Sequence, residues 1–409
     1  MKPKYRLNIP DGTKLSEWKN LLLGDCFDER TERAVGDELL LSVTQSEGII
    51  RQDNSDKRNI SSTDKSNYKV VHVGDIAYNT MRMWQGAEGV SPWNGIVSPA
   101  YTVVVPRGNM NSDFFALMFK RTPMLRMFER FSQGLTSDTW NLKYNAFSKL
   151  RVCIPSKDEQ DAIVFFFKCY DEKISLQQQK VETLEQRKKG LLQKVFSQEL
   201  RFKADDGSDF PEWETRQLSD LFPFIRNGFV GTITNDFASE DDGIRYLEGV
   251  NIHNGHISDD VKIYVTKKFH SLHLRSQLCP SDIVMVQSGH VGECAVVGEQ
   301  YSGSNCHALI VLSNAGECSS QFYVDYFYSP QGKKGISLIT TGNTIKHILA
   351  SEMEKYAVPV PAIPEQQKIA DFFSAIDEQI DVERQRLEVM RTIKKGLLQQ
   401  MFCDASGEA

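Results

Sequence analysis

Two stretches of the chain space their apolar positions in the same 4-3-4-3 rhythm. The first runs Ile163, Phe167, Tyr170, Ile174, Gln177, Val181, Leu184, Lys188, Leu191, Val195. The second runs Ile369, Phe373, Ile376, Ile380, Glu383, Leu387, Met390, Lys394, Leu397, Met401. A heptad seam held over about five repeats predicts one long coiled-coil helix per stretch, roughly 57 Å long at about 1.5 Å per residue. Ser156 and Glu159 have the spacing of a capping box, and Pro364 stands where a first-turn proline is tolerated. Both seams are polar at the same two places, Gln177/Glu383 and Lys188/Lys394. Parallel packing would set the two lysines against each other, so antiparallel packing within one chain is expected. Two separate amphipathic helices, each on its own domain, would show the same stripes.

The two stretches are one segment written twice. Residues 149–196 and 355–402 align without a gap at an offset of 206. Glu159-Gln160 matches Glu365-Gln366, Asp171-Glu172 matches Asp377-Glu378, and Lys188 to Gln193 matches Lys394 to Gln399. A period of half the chain implies two similar halves with pseudo-twofold character, unlike the short periods of solenoids. Gly190 and Gly396 recur at the same helical position, which costs about 1 kcal/mol each relative to alanine. Close approach of another backbone or a local helix end would explain them.

Between these helices the pattern changes to short β-branched and aromatic runs broken by turn residues. Strands are expected at Tyr68–Tyr78, Tyr101–Val105, Val261–Val265, Asp282–Val286 and Ala308–Leu312. The halves share landmarks: Glu17-Trp18 and Glu212-Trp213, Asp75-Ile76 and Asp282-Ile283, helices beginning near Phe114 and Phe322, and the polar loops around Gly134 and Gly342. The loops between the landmarks differ almost completely, as two recognition domains for two targets would. The expected organisation is α+β. Two similar mixed α/β domains, 1–148 and 200–354, alternate with two long helices, 149–199 and 355–409, packed as an antiparallel coiled coil.

The 409 residues leave room for two or three cores, and no apolar run reaches the roughly 18 residues of a membrane span. No apolar segment follows the N-terminal Met1–Arg6, so a signal peptide is not expected. Eight cysteines stand singly, which reads as reduced thiols and a cytoplasmic protein. Charge is uneven: 1–150 carry about +3, whereas 197–354 carry about −9 (12 basic against 21 acidic residues). The sequence holds no Walker A loop, GxGxxG turn, GxSxG elbow or Asn-Pro-Pro-Phe/Tyr tetrapeptide. His253/His256 and His270/His273 are the only paired histidines, and they fall in strand and turn rather than on a ligand-bearing helix. No catalytic constellation and no metal site are expected, which leaves a recognition module or a protein-binding structural adaptor.

The twice-used unit runs from a strand, Gly74-Asp75-Ile76, variable loops, a helix and a Gly-polar loop to Ile-Pro, Glu-Gln, a long helix and Lys-Lys-Gly-Leu-Leu-Gln. It resembles the specificity subunit of type I restriction–modification enzymes over nearly the whole chain; Ser281-Asp282-Ile283 departs by one residue. The resemblance implies two target recognition domains, each reading half of a bipartite, asymmetric double-stranded DNA site. It also implies two modification (methyltransferase) subunits acting on adenine N6 and restriction (translocase/nuclease) subunits. S-adenosylmethionine, ATP and magnesium would then sit on those partners and none on this chain.

Base edges are read by Arg, Lys, Asn, Gln, Ser, Thr and His on loops. In the first domain Asn79, Arg82, Trp84, Gln85, Gln133, Thr136, Asn141 and Lys143 are candidates, with Arg82 suited to guanine and Gln85 or Asn141 to adenine. In the second they are Gln287, Ser288, His290, Asn305, His307, Thr341, Asn343 and Lys346. On the helix flanks Lys180, Arg187, Lys189, Arg384, Arg386 and Arg391 are candidates for docking the modification subunits. The plainer readings are solvated loops and a solvated coiled-coil flank.

Overall fold

The computed structural model describes residues 3–7, 16–36, 38–54, 64–137, 139–233, 235–342 and 345–403. Both long helices form, at Lys157–Phe196 and Ile363–Gln400. The chain divides into two units. Unit 1 comprises Met1–Gln178 and Gln385–Ala409, and unit 2 comprises Gln179–Arg384. Each unit therefore owns the first part of one long helix and the last part of the other.

Within each unit the two helix parts run antiparallel. In unit 1 Lys394 pairs with Asp171, and Arg391 Nη2 donates to Gln178 Oε1 at 3.1 Å. In unit 2 Lys180 Nζ donates to Glu383 Oε1 at 2.8 Å and Lys188 Nζ to both Asp377 oxygens at 2.6 Å. Rising numbers on one helix meet falling numbers on the other. The polar seam positions are thereby explained: Lys188–Asp377 and Lys394–Asp171 are the same ion pair at the 206-residue offset. The duplicated Asp-Glu and Lys-Lys-Gly motifs exist partly to make it. Helix continues unbroken through Gly190 and Gly396, so neither marks a helix end.

The globular part of each unit is built on one plan. A four-stranded antiparallel sheet in unit 1 has the order Phe27–Glu29, Tyr101–Pro106, Ile76–Asn79, Glu88–Val90. Its counterpart in unit 2 is Phe224–Asn227, Leu309–Ser313, Ile283–Val286, Cys294–Val296. The central strands are apolar on both faces: Ile283 to Val286 are all buried, with a helix layer on one side and further short strands on the other. In unit 1 Phe114, Phe115, Met118 and Phe119 of the helix Ser112–Phe119 cover the sheet. In unit 2 Phe322, Tyr323 and Phe327 of Ser320–Tyr328 do so.

Two matched polar anchors join this sheet-and-helix body to the start of a long helix, and a third ties the body's covering helix to its sheet. The buried Glu159 carboxylate accepts from Arg6 Nε (2.8 Å) and Trp18 Nε1 (3.2 Å); the buried Glu365 carboxylate accepts from Arg201 Nε (3.0 Å) and Trp213 Nε1 (2.9 Å). Glu159 is thus committed to Arg6 and Trp18 rather than to the capping box its spacing suggests. Gln160 Oε1 accepts from Asn111 N and Gln366 Oε1 from Ser319 N, both at 3.0 Å. Asn111 and Ser319 are the N-caps of the two covering helices. Finally, Ser112 Oγ donates to the Gly74 carbonyl and Ser320 Oγ to the Ser281 carbonyl. Gly74 has φ +90° and Ser281 φ +68°, so the one-residue departure from Gly-Asp-Ile places a serine in the left-handed region.

Candidate nucleic-acid interface

In unit 1 the strand Ile76–Asn79 delivers the chain into the turn at 80–85. Asn79 Oδ1 accepts from Met81 N at 3.0 Å, and Trp84 Nε1 donates to the Met81 carbonyl at 3.1 Å. The loop 133–143 is closed at its neck by reciprocal Gln133–Asn141 backbone bonds of 2.9 Å, and Asn141 Nδ2 also donates to Gln133 O at 3.2 Å. The two loops meet: Leu142 N donates to Thr80 O at 2.8 Å, and the Trp84 and Trp140 rings pack edge-to-face at 5.5 Å. Arg82, Gln133, Thr136 and Lys143 are exposed at this junction, with Gln85 half-buried. Arg82 has no side-chain partner among the described residues, so its guanidinium is available to an outside acceptor. Asn141 and Trp84 instead spend their polar groups holding the loops.

Unit 2 builds the corresponding place differently. Thr341 and His347 exchange backbone bonds of 2.9 and 2.8 Å, Gly289 N donates to Lys346 O at 3.3 Å, and Ile348 N donates to Gln287 O at 3.0 Å. These bonds bring the 287–290 and 341–347 loops together beside a cleft of about 380 Å3 lined by His290, Glu293, Tyr328, Lys333 and Lys346. Ser288, His290, Thr341 and Lys346 are exposed, while Gln287 Nε2 is held by Asn227 Oδ1 at 3.3 Å. Asn343 lies outside the described residues. Both loops need glycine at the neck. A Cβ on Gly134 would lie 2.6 Å from the Thr139 carbonyl group, and one on Gly342 2.1 Å from Ile345 O.

Two expectations are corrected here. Asn305 is wholly buried: its Oδ1 meets His270 Nδ1 at 2.7 Å and its Nδ2 donates to Ser276 Oγ at 2.8 Å and to the His273 carbonyl. It ties a helix to a strand and cannot reach a groove, because a run that reads as a polar loop becomes an interior strand at Asn305–Cys306. His307 is half-buried near Glu248 (3.4 Å) and the Phe229 ring rather than at a loop tip. On the helices, Lys180 is paired with Glu383, Arg384 with Glu185 and Asp381, and Arg391 with Glu388. These three cations serve the helix pair itself. Arg187, Lys189 and Arg386 are exposed.

The sequence reading passed over Lys333 and Tyr328. Lys333 stands on the helix Pro330–Ile339 with its ammonium 5.5 Å from the Tyr328 ring centre, on the cleft wall opposite His290 and Lys346. The adjacent Lys333-Lys334 pair in an otherwise acidic region was the available signal. Among the described residues no group of three His, Cys, Asp or Glu side chains could hold a metal ion, and none of the eight cysteines is in a disulfide. No helix among the described residues is long and apolar enough to cross a membrane.

The fold comprises two like scaffolds, each presenting its own set of polar loops. Residues 211–391 match the type I restriction modification DNA specificity domain. The type I restriction enzyme MjaVIII specificity subunit of Methanocaldococcus jannaschii is 20% identical over 345 residues, 80% of this chain and 78% of that protein. A chain from a structure of type I R-M complex assembly and conformational transition superposes with a TM-score of 0.62 at 16% identity, covering 95% of this chain and 98% of that one. The S subunit from M. genitalium gives 0.53 at 14% identity over 99% and 100%. Over residues 211–391 the chain thus carries the type I restriction modification DNA specificity domain, and its fold is shared with the S subunit structure it matches.

Proposed function

We propose that each unit reads one half of a bipartite, asymmetric double-stranded DNA site, and that the long helices carry the modification subunits that methylate adenine N6. The carrying observation is a shared frame with unlike reading surfaces. Arg30–Asp75 and Arg226–Asp282 brace the same turn in the two units. Yet one unit presents Arg82 beside a Trp84–Trp140 pair, and the other a cleft with His290, Lys333 and Lys346. S-adenosylmethionine, ATP and magnesium belong to the modification and restriction partners, and the assembly works in the cytoplasm.

Phosphate contacts supply much of the affinity of DNA-binding proteins. With about −9 on residues 197–354, partner subunits neutralise most phosphates, and the isolated chain binds DNA weakly. The test is the methylated-adenine pattern in cells expressing the chain with a modification subunit. A split motif is expected. Replacing residues 79–85 and 133–143 together should change one half of it and leave the other intact. A motif indifferent to loop exchange, or a nanomolar, steeply salt-dependent affinity of the chain alone, would refute the respective part.

A further inference from the structure

Unit 1 holds two buried thiols side by side. Cys153 lies on the strand Arg151–Ile154, and Cys403 follows the long helix Ile363–Gln400. Both belong to the core of unit 1, at 1% and 5% exposure, and Cys403 offers the Cys153 thiol a hydrogen-bond partner. Neighbouring contacts fix the same meeting place. Asn20 pairs with Cys153 across a two-stranded sheet, and Trp18, just upstream, packs edge-to-face on Phe402 at 6.4 Å. Phe402 in turn stacks on Phe114 at 5.2 Å, and Gln400 O accepts from Tyr5 N at 3.1 Å. Packed rings and a strand pair therefore hold both cysteines in place.

The corresponding place in unit 2 carries no cysteine. Continuing the 206-residue offset, Cys153 matches Pro359 and Cys403 matches Ser197. The difference follows the path of the chain. In unit 2 the long helix Lys157–Phe196 runs through a short turn, with Leu200 N donating to Lys194 O at 3.0 Å, straight into Arg201, which grips Glu365. In unit 1 the matching bond is Tyr5 N to Gln400 O, and the matching grip is Arg6 on Glu159. Tyr5 and Gln400 stand far apart in the sequence, so this junction closes through non-covalent contacts where unit 2 has continuous chain.

We propose that Cys153 and Cys403 are a redox-sensitive pair that forms a disulfide on exposure to peroxide, bolting the segment after the second long helix to the strand pair of unit 1. The more exposed Cys403 sulfur attacks one peroxide oxygen. The O–O bond breaks, and the released hydroxide takes the thiol proton as water, leaving a sulfenic acid. The Cys153 sulfur then attacks that sulfur, the S–O bond breaks, and the Cys153 proton departs with the oxygen as a second water. Two thiols are oxidised and one peroxide is reduced. Burial pushes the Cys153 thiol up, so it stays protonated and acts as the second, resolving thiol. The bond closes a loop from 153 to 403 that contains all of Gln179–Arg384. A cross-link over so long a loop removes freedom from the unfolded chain and stabilises unit 1.

The test uses the full chain, purified with reductant, desalted, and treated with hydrogen peroxide. Digestion without reduction should yield a Cys153–Cys403 cross-linked peptide lighter by two hydrogens than its parts, and dithiothreitol should release it. Calorimetry of the reduced and oxidised chain should show the unit 1 transition raised by at least about 5 °C on oxidation and that of unit 2 unmoved. Both readings use the unaltered chain, so a variant that fails to fold cannot hide the answer. Cys403→Ser should abolish the cross-link, whereas Cys169→Ser with Cys279→Ser, at the two exposed thiols, should leave it intact. Three results would each overturn the proposal. Peroxide oxidises Cys169 and Cys279 while Cys153 and Cys403 still react with iodoacetamide after unfolding; the cross-linked peptide joins other cysteines; or the cross-link forms and the unit 1 transition stays where it was.

Discussion

Arg201 offers the sharpest check on how each unit grips its long helix. Glu365 is fully buried, and its carboxylate takes Arg201 Nε at 3.0 Å, Arg201 Nη2 at 3.1 Å and Trp213 Nε1 at 2.9 Å. Arg201 Nη2 also donates to the Pro211 carbonyl at 2.7 Å, so the guanidinium ties the segment entering unit 2 to the helix start. At about 3 Å and an effective dielectric near 20 the bare attraction is roughly 5–6 kcal/mol. Arg201→Met removes it and leaves a buried carboxylate with one neutral donor, a loss of about 3–5 kcal/mol. Because Arg201 is 24% exposed, water relieves part of this and the lower end is expected, about 3 kcal/mol. For a unit of this size that lowers Tm by roughly 6–12 °C. Differential scanning calorimetry with tryptophan fluorescence should show the unit 2 transition moving while that of unit 1 stays. Arg6→Met should do the converse through Glu159. Converting both partners, Arg201→Met with Glu365→Leu, should recover much of the loss, since no unpaired charge remains. A single-variant effect below about 1 kcal/mol, or a double variant as unstable as the single, would refute the reasoning.

Four further outcomes follow from particular residues. Glu88 is buried opposite Tyr78 with neither carboxylate oxygen hydrogen-bonded, and burial, only partly opposed by Lys120, pushes its acid up to about 8 from 4.5. The folded chain therefore keeps a proton that the unfolded chain releases, and stability should fall by a few kcal/mol as pH rises from about 4.5 to 8; Glu88→Gln should flatten that slope in thermal melts across pH. Ser281→Gly should stabilise unit 2 by up to about 1 kcal/mol by relieving the left-handed backbone, and Gly74→Ser should cost unit 1 a similar amount, both read by Tm. Gln366→Leu removes bonds to Ser319 N and the Pro361 carbonyl at a buried site and should cost about 2–3 kcal/mol in denaturant unfolding. In the assembled complex, Lys346→Ala should lower the salt slope of DNA binding by about one without changing the methylated motif, whereas Arg82→Ala should relax one half of the motif.

The chain's own letters settle its architecture to a considerable depth. Heptad spacing is a local property of a helix, so the positions and lengths of both long helices are legible in 4-3-4-3 apolar spacing. The seam lysines even predict antiparallel packing, since like charges in one seam repel. The duplication carries that knowledge from one half to the other. The β-branched runs mark the central strands for the same reason, because they are buried on both faces. What the letters do not hold is which distant groups meet. Glu159 reads as a capping residue, yet it serves Arg6 and Trp18, 153 and 141 positions away. Asn305 has the composition of a reading loop but lies in the interior, because its neighbours His270 and Ser276 come from another element. Lys180 and Arg384 look like free surface cations until the other helix supplies Glu383 and Glu185. Only the folded chain decides which cations of the helix pair meet an acid across it, because those partners lie about two hundred residues apart in the chain.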